Sequence, residues 1–315
     1  MARRDRVRHR ENKRRLIQIG GTVVSNSYLK GFLEGGIYQG KLKTLCVPGL
    51  NCYSCPGALG SCPLGAIQNA IADPSQYISF YVLGFLVAIG ALLGRAVCGF
   101  LCPFGLFQDL LGKRAKRRFK RSSAIRADQV LRLAKTGILI VFVVLLPFFG
   151  LIASGFGSPT FCKLICPSGT LMAGLPLIAL NSDLREIIGV LFGWKVLLLV
   201  IFTGVSFVIY RPFCRYACPL GAIYGFFNKF SLYRVAVDRE RCTDCGACTR
   251  ICPMAAPIPA QPDSAECIRC GACAAVCPED AILCGFPRRS DTSARQPLTT
   301  AGPNTERMSA GKDEL

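Results

Sequence analysis

The sequence predicts an α-helical membrane protein, with about four transmembrane helices in a two-fold repeat, followed by a small C-terminal α+β domain. Three observations lead there. The 315 residues are 51% hydrophobic yet carry a net charge of +19, which suits a chain whose basic residues sit in loops on one side of a bilayer. Four apolar stretches approach the ~20 residues that a helix needs to cross hydrocarbon. Near the C-terminal end, eight of the 19 cysteines fall at regular spacing within residues 242–277.

Those eight define the C-terminal domain. Cys242, Cys245, Cys248 and Cys252 form one C-x2-C-x2-C-x3-C-P run, and Cys267, Cys270, Cys273 and Cys277 form a second. This is the bacterial-type ferredoxin pattern for two [4Fe–4S] clusters, in which the fourth cysteine of each run serves the other cluster. The spacing therefore predicts one cluster on Cys242, Cys245, Cys248 and Cys277, and the other on Cys267, Cys270, Cys273 and Cys252. Two structural zinc sites are the competing reading, but zinc takes two well-separated C-x2-C pairs, not a triple followed by x3-C-P.

The chain divides into a basic N-terminus (1–15), a transmembrane domain (16–235), the ferredoxin domain (236–286) and a polar, disordered tail (287–315). The first 15 residues carry eight Lys or Arg, and no removable signal peptide follows them. The expected spans are 16–33, 77–93, 136–152 and 187–210. The segment 171–180, interrupted by Pro176, is too short to cross and reads as interfacial or re-entrant. Ten basic residues between Lys113 and Lys135 separate the second and third spans, and the flanking loops hold few. Positive-inside placement then puts the N-terminus and the ferredoxin domain on the cytoplasmic side of the inner membrane. It also explains the basic segments without a nucleic-acid partner. The single histidine, His9, excludes haem ligation by histidine pairs, histidine-based zinc catalysis and Ser-His-Asp chemistry. The final Lys-Asp-Glu-Leu matches a lumenal retention address, which a cytoplasmic tail does not use.

Four further cysteines share a Cys-Pro-x-Gly tag: Cys62, Cys102, Cys166 and Cys218, one after each expected span. Cys98, Cys162 and Cys214 stand four residues before three of them, so each pair shares a helix face. At the first tag Ala58 takes that place, and Cys55 or Cys52 can substitute, with Cys46 a further candidate. Span, outer tag, span, inner tag occurs twice in the same orientation, and parallel repeats pair about an axis along the membrane normal. Pairing collects Cys98, Cys102, Cys214 and Cys218 on the inner side, and Cys55, Cys62, Cys162 and Cys166 on the outer side. Each set offers four thiolates, enough for one further Fe–S cluster. Buried free thiols and outer disulfides are the alternatives, and Cys284 is unassigned.

With Cys98-x3-Cys102-Pro, Cys214-x3-Cys218-Pro and the two ferredoxin runs, residues 16–285 resemble the membrane-bound polyferredoxins of the NapH, NosR and CcoG type. The chain lacks the large flavin domain of the NosR kind and a CcoG-like C-terminal β-domain, so the NapH arrangement fits best. The resemblance implies electron transfer between cytoplasmic ferredoxin clusters and the membrane, the quinone pool or an external respiratory partner. The expected partners are the lipid bilayer, redox proteins and quinone. Two other classes stay open: an assembly factor that reduces a metal such as copper for a respiratory enzyme, and a redox sensor.

Overall fold

The computed structural model describes residues 3–72, 80–112, 125–155 and 157–286. The expected basic loop, 113–124, and the expected disordered tail, 287–315, lie outside them. Helix α1 (Arg3–Ser25) opens the chain, and the short helix α2 (Lys30–Glu34) follows it. Helices α3 (Pro63–Ala72), α4 (Phe80–Leu93), α5 (Ala96–Phe100) and α6 (Pro103–Leu111) carry the first two tags. Helix α7 runs through Ile125–Ile138, a π-helical stretch Leu139–Leu145, and Leu146–Ser154.

The third tag lies between α8 (Thr160–Leu164) and α9, which combines Pro167–Gly169, π-helical Thr170–Gly174 and Leu175–Leu180. Helices α10 (Ser182–Glu186) and α11 (Val190–Ser206) lead to the fourth, between α12 (Pro212–Tyr216) and α13 (Pro219–Phe227). Strands β1 (Arg234–Val237) and β2 (Ile282–Gly285) pair antiparallel and enclose helices α14 (Ala247–Ile251) and α15 (Ala272–Val276).

Both π-helical stretches have one cause. Pro147 and Pro176 have no N–H to give to the preceding turn, and the wider π turn just before each absorbs the mismatch. The hydroxyl of Thr160 donates to the carbonyl of Phe142 inside the first stretch, at 2.6 Å. Residues 171–180, expected to be broken at Pro176, are therefore helical throughout.

Among the described residues one helix is long and apolar enough to cross a bilayer, Val130–Ala153 in α7; Phe80–Leu93, Pro167–Leu180 and Val190–Ser206 are apolar but shorter. Apolar side chains stand exposed on these helices, among them Leu83 and Val87 on α4, Ile140, Val144 and Phe148 on α7, and Leu197 and Val200 on α11.

The expected first span, 16–33, takes another form. Helix α1 starts inside the basic N-terminus and ends at Ser25, and its inward face at 14 and 18 is Arg14 and Gln18, both buried. Residues 6, 10, 14 and 18 recur every fourth position and share one face, ~18 Å long at 1.5 Å per residue. Arg6 pairs with Asp280 at 3.3 Å, and Arg10 donates to the carbonyl of Gly271. Arg14 donates to the carbonyl of Gly99 at 2.7 Å, and Gln18 to that of Cys102 at 2.8 Å. The helix thus ties the ferredoxin domain to the second tag.

Two buried ion-pair clusters fix the helical domain. Asp109 on α6 accepts from Arg14 at 2.7 Å and from Arg211 through two bonds of 2.5 and 2.7 Å. Arg95 reaches Glu266 of the ferredoxin domain at 2.7 Å, and Lys135 pairs with the same carboxylate. Removing one partner of such a buried set costs about 3–5 kcal/mol, because the others are left charged in a low dielectric. Asp109→Ala is expected to lower the thermal midpoint of the purified protein by far more than an exposed change such as Glu34→Ala. Equal midpoints for the two variants would contradict the role given to Asp109.

Candidate iron–sulfur centres

Each ferredoxin half repeats one backbone signature. The residue before the second cysteine has positive φ (Asp244, 50°; Arg269, 54°), and so has the glycine after it (Gly246, 66°; Gly271, 74°). The third residue after the fourth cysteine is positive too (Ala255, 51°; Asp280, 47°). These left-handed turns bend the chain so that three cysteines face one cavity, and glycine takes the position at least steric cost. The same signature in both halves marks an internal duplication.

The two cavities have the crosswise lining that the spacing predicts. One is lined by Cys242, Cys245, Cys248 and Cys277. The other is lined by Cys252, Cys267, Cys270 and Cys273. Burial pushes the Cys252 thiol up to about 12, and burial with neighbouring thiols pushes Cys267 up as well. Cys273 is raised by its hydrogen bond with Cys284 and then by burial. A metal centre that takes thiolates releases the thiol protons as it binds. Cys284, on β2 opposite Val235, is thus a neighbour of a cluster cysteine.

Among the described residues, no three Cys, His, Asp or Glu side chains close around a single metal ion.

The tags come together in the helical domain through a pairing that occurs twice. Gln108, six residues after Cys102, donates to the Cys214 sulfur at 3.2 Å and accepts from the Phe213 N–H at 3.2 Å. Gln68, six residues after Cys62, donates to the Cys162 sulfur at 3.3 Å and accepts from the Phe161 N–H at 3.0 Å. Cys-Pro-x-Gly-x-x-Gln on one side thus meets Phe-Cys on the other, in both sets. These glutamines escaped the cysteine-based reading. The signal was present, since Gln stands at +6 in two of the four tags.

In the inner set, Cys98, Cys102, Cys214 and Cys218 are all buried and act on one another electrostatically. The Gly105 and Gly221 N–H groups donate to the sulfurs of Cys102 and Cys218, each at 3.4 Å, which suits a ligating sulfur. Arg95 donates to the Cys214 carbonyl and Arg211 to the Cys98 carbonyl, both at 2.6 Å. Each arginine stands three residues before one tag's first cysteine and braces the other tag. Their charges face the thiols, and cationic surroundings favour thiolates.

The outer set differs from the expected one in a single member. Cys62, Cys162 and Cys166 act on one another, and the fourth thiol beside them is Cys52. A side chain on Gly169 would approach the Cys52 sulfur at 3.6 Å. Cys55 faces Cys52 and Lys43, with its sulfur 3.6 Å from the Asn26 side-chain oxygen. The first tag lacks the i−4 cysteine, and the loop carrying Cys52 and Cys55 fills the gap with the earlier of the two. Cys46 lies in an isolated bridge with Ser61.

Fold and cysteine placement together define a chain of ferredoxin-type 4Fe-4S binding domains. Three families, each described as a 4Fe-4S binding domain, match the chain: one at 76–122, 138–178 and 191–236, one at 234–257 and one at 260–283. The methylamine utilization ferredoxin-type protein MauN of Paracoccus denitrificans is 30% identical, over 62% of this chain and 62% of its own. The ferredoxin-type protein NapH of Haemophilus influenzae is 29% identical, over 77% of this chain and 74% of its own. An uncharacterized protein of Methanocaldococcus jannaschii is 27% identical, over 57% of this chain and 60% of its own. The chain thus spans about three fifths of the length of two of these relatives. No solved structure matches. The chain belongs to the polyferredoxin family, near the NapH type.

The two candidates for the fourth outer position can be separated by substitution. Cys52→Ser is expected to lower bound iron by about four atoms per chain, and Cys55→Ser to leave it unchanged. Loss of iron in Cys55→Ser alone would restore the ligand set expected from sequence.

Proposed function

We propose that this chain is a membrane-embedded electron-transfer protein that holds four iron–sulfur clusters: two in the ferredoxin domain, one on the inner tags and one on the outer tags. Bound clusters supply one-electron redox capacity and do no bond chemistry of their own. The chain's part is to hold them, keep water out and fix their order. The exposed apolar faces of α4, α7 and α11 suit lipid contact, with the basic segments on the cytoplasmic side.

One observation carries the reading: the loop that bears a ferredoxin cysteine is seated on the inner tags. Asn228 donates to the carbonyls of Ser264 and Cys267, at 2.9 and 3.0 Å. Arg269 donates to the carbonyls of Leu93 and Asn228. A side chain on Gly99 would meet the Ile268 carbonyl at 2.7 Å, so the peptides beside Cys98 and Cys267 are in direct contact. Gly225 leaves similar room for the Ala265 carbonyl, at 2.9 Å. Burial alone would raise the Glu266 carboxyl, but Arg95 and Lys135 hold it below its ordinary value. The seat therefore stays charged and locked at neutral pH.

This contact gives electrons a route between the ferredoxin domain and the helical domain, with quinone or an external respiratory protein as the far partner. In membranes containing the double variant Cys102→Ser, Cys218→Ser, the ferredoxin EPR signals are expected to persist while electron flow from the ferredoxin side into the membrane stops. Undiminished flow in that variant would overturn the inner site's role.

A further inference from the structure

We propose that the segment Pro48–Leu50, with Tyr224, bridges the inner and outer cysteine quartets and makes them one contiguous relay inside the helical domain. The inference rests on the reading that both quartets hold clusters. Sequence alone places the quartets at opposite faces of hydrocarbon ~30 Å thick. In the structure both belong to one hydrophobic core, which includes Leu50, Cys98, Cys102, Cys166, Cys218 and Tyr224, with Cys62 and Cys162 packed against it.

The bridge can be followed atom by atom. At one end the segment lies directly against Cys102 of the inner quartet. The Leu50 carbonyl accepts from the hydroxyl of Ser168, two residues after the outer Cys166, at 3.5 Å. Gly49 fits only because it lacks a side chain, since a Cβ there would lie 2.8 Å from the Cys102 Cα. The fully buried Tyr224 donates to the Pro48 carbonyl at 3.0 Å. Its ring packs in the same core as Cys98, Cys102, Cys166 and Cys218, with Cys62 against that core. The segment thus packs against Cys102 of the inner quartet and meets the Ser168 hydroxyl beside the outer Cys166, and the Tyr224 phenol holds it from Pro48.

The step is a single-electron exchange. A cluster held by Cys98, Cys102, Cys214 and Cys218 would exchange one electron with a cluster held by the outer quartet, one losing it as the other gained it, and no bond to a chain atom would form or break. The ferredoxin clusters supply the electron on the cytoplasmic side, and dithionite supplies it on the bench.

Two paramagnetic centres held this close broaden each other's signals. The test is EPR of the dithionite-reduced full-length protein, together with iron content per chain. The inner signal is expected to be broadened in the unaltered protein and to narrow in Cys62→Ser, with the ferredoxin signals unchanged. Gly49→Val, which wedges the loop off Cys102, is expected to retain all the iron and lose most of the broadening. Full iron with an inner signal of the same width in the unaltered protein and Cys62→Ser would overturn the contiguous relay and leave the four-cluster reading standing. About four irons too few in the unaltered protein, with no outer signal, would overturn both.

Discussion

The structure depends on how the chain compensates charge that it has buried. Arg14, Arg95, Arg211 and Arg269 are almost completely buried, and uncompensated charges in such surroundings cost several kcal/mol each. Asp109 compensates the Arg14 and Arg211 pair, and Glu266 compensates Arg95. The remaining positive charge points at backbone carbonyls beside the inner cysteines. Such a site is poised for anions, and four thiolates with an iron–sulfur core are anionic. The arginines therefore brace the tag helices and prepare the electrostatics of the inner quartet. The second carboxylate belongs to the ferredoxin domain, so docking that domain is part of neutralising the helical one.

Much of this was legible in the sequence, because cluster ligation leaves a rigid spacing. The two ferredoxin runs foretold a crosswise lining, and both cavities have it. The Cys-Pro tags grouped Cys98, Cys102, Cys214 and Cys218, and these four thiols lie near enough to act on one another. What hydropathy could not give was the use of polar residues inside helices. Residues 16–33 resembled a weak span because Leu16, Ile17, Ile19, Val23 and Val24 are apolar, yet those side chains are exposed, and Arg14 and Gln18 face inward. Cys52 and Cys55 were both candidates for the fourth outer position, with Cys55 placed in the expected quartet, because spacing along an irregular loop does not say which thiol turns inward.

The proximity of the two quartets changes how the helical domain is pictured. Helices α3, α6, α9 and α13 each begin at a Cys-Pro tag. The tags meet in one core, so the cysteines sit towards the middle of the domain. The apolar helices form an outer layer around them. Proline at the start of each tag helix costs nothing, since the first N–H of a helix has no partner to lose, and it fixes where each cysteine stands. Repeating this short unit four times sets out eight cysteine positions with little sequence, and the loop bearing Cys52 repairs the one incomplete copy.

The most direct test of the central claim is the stoichiometry of iron and acid-labile sulfide in the anaerobically purified full-length protein. Four quartets holding [4Fe–4S] clusters give about sixteen irons and sixteen sulfides per chain. About eight of each, with the ferredoxin signals complete, would mean that the tags are structural and would contradict the four-cluster reading.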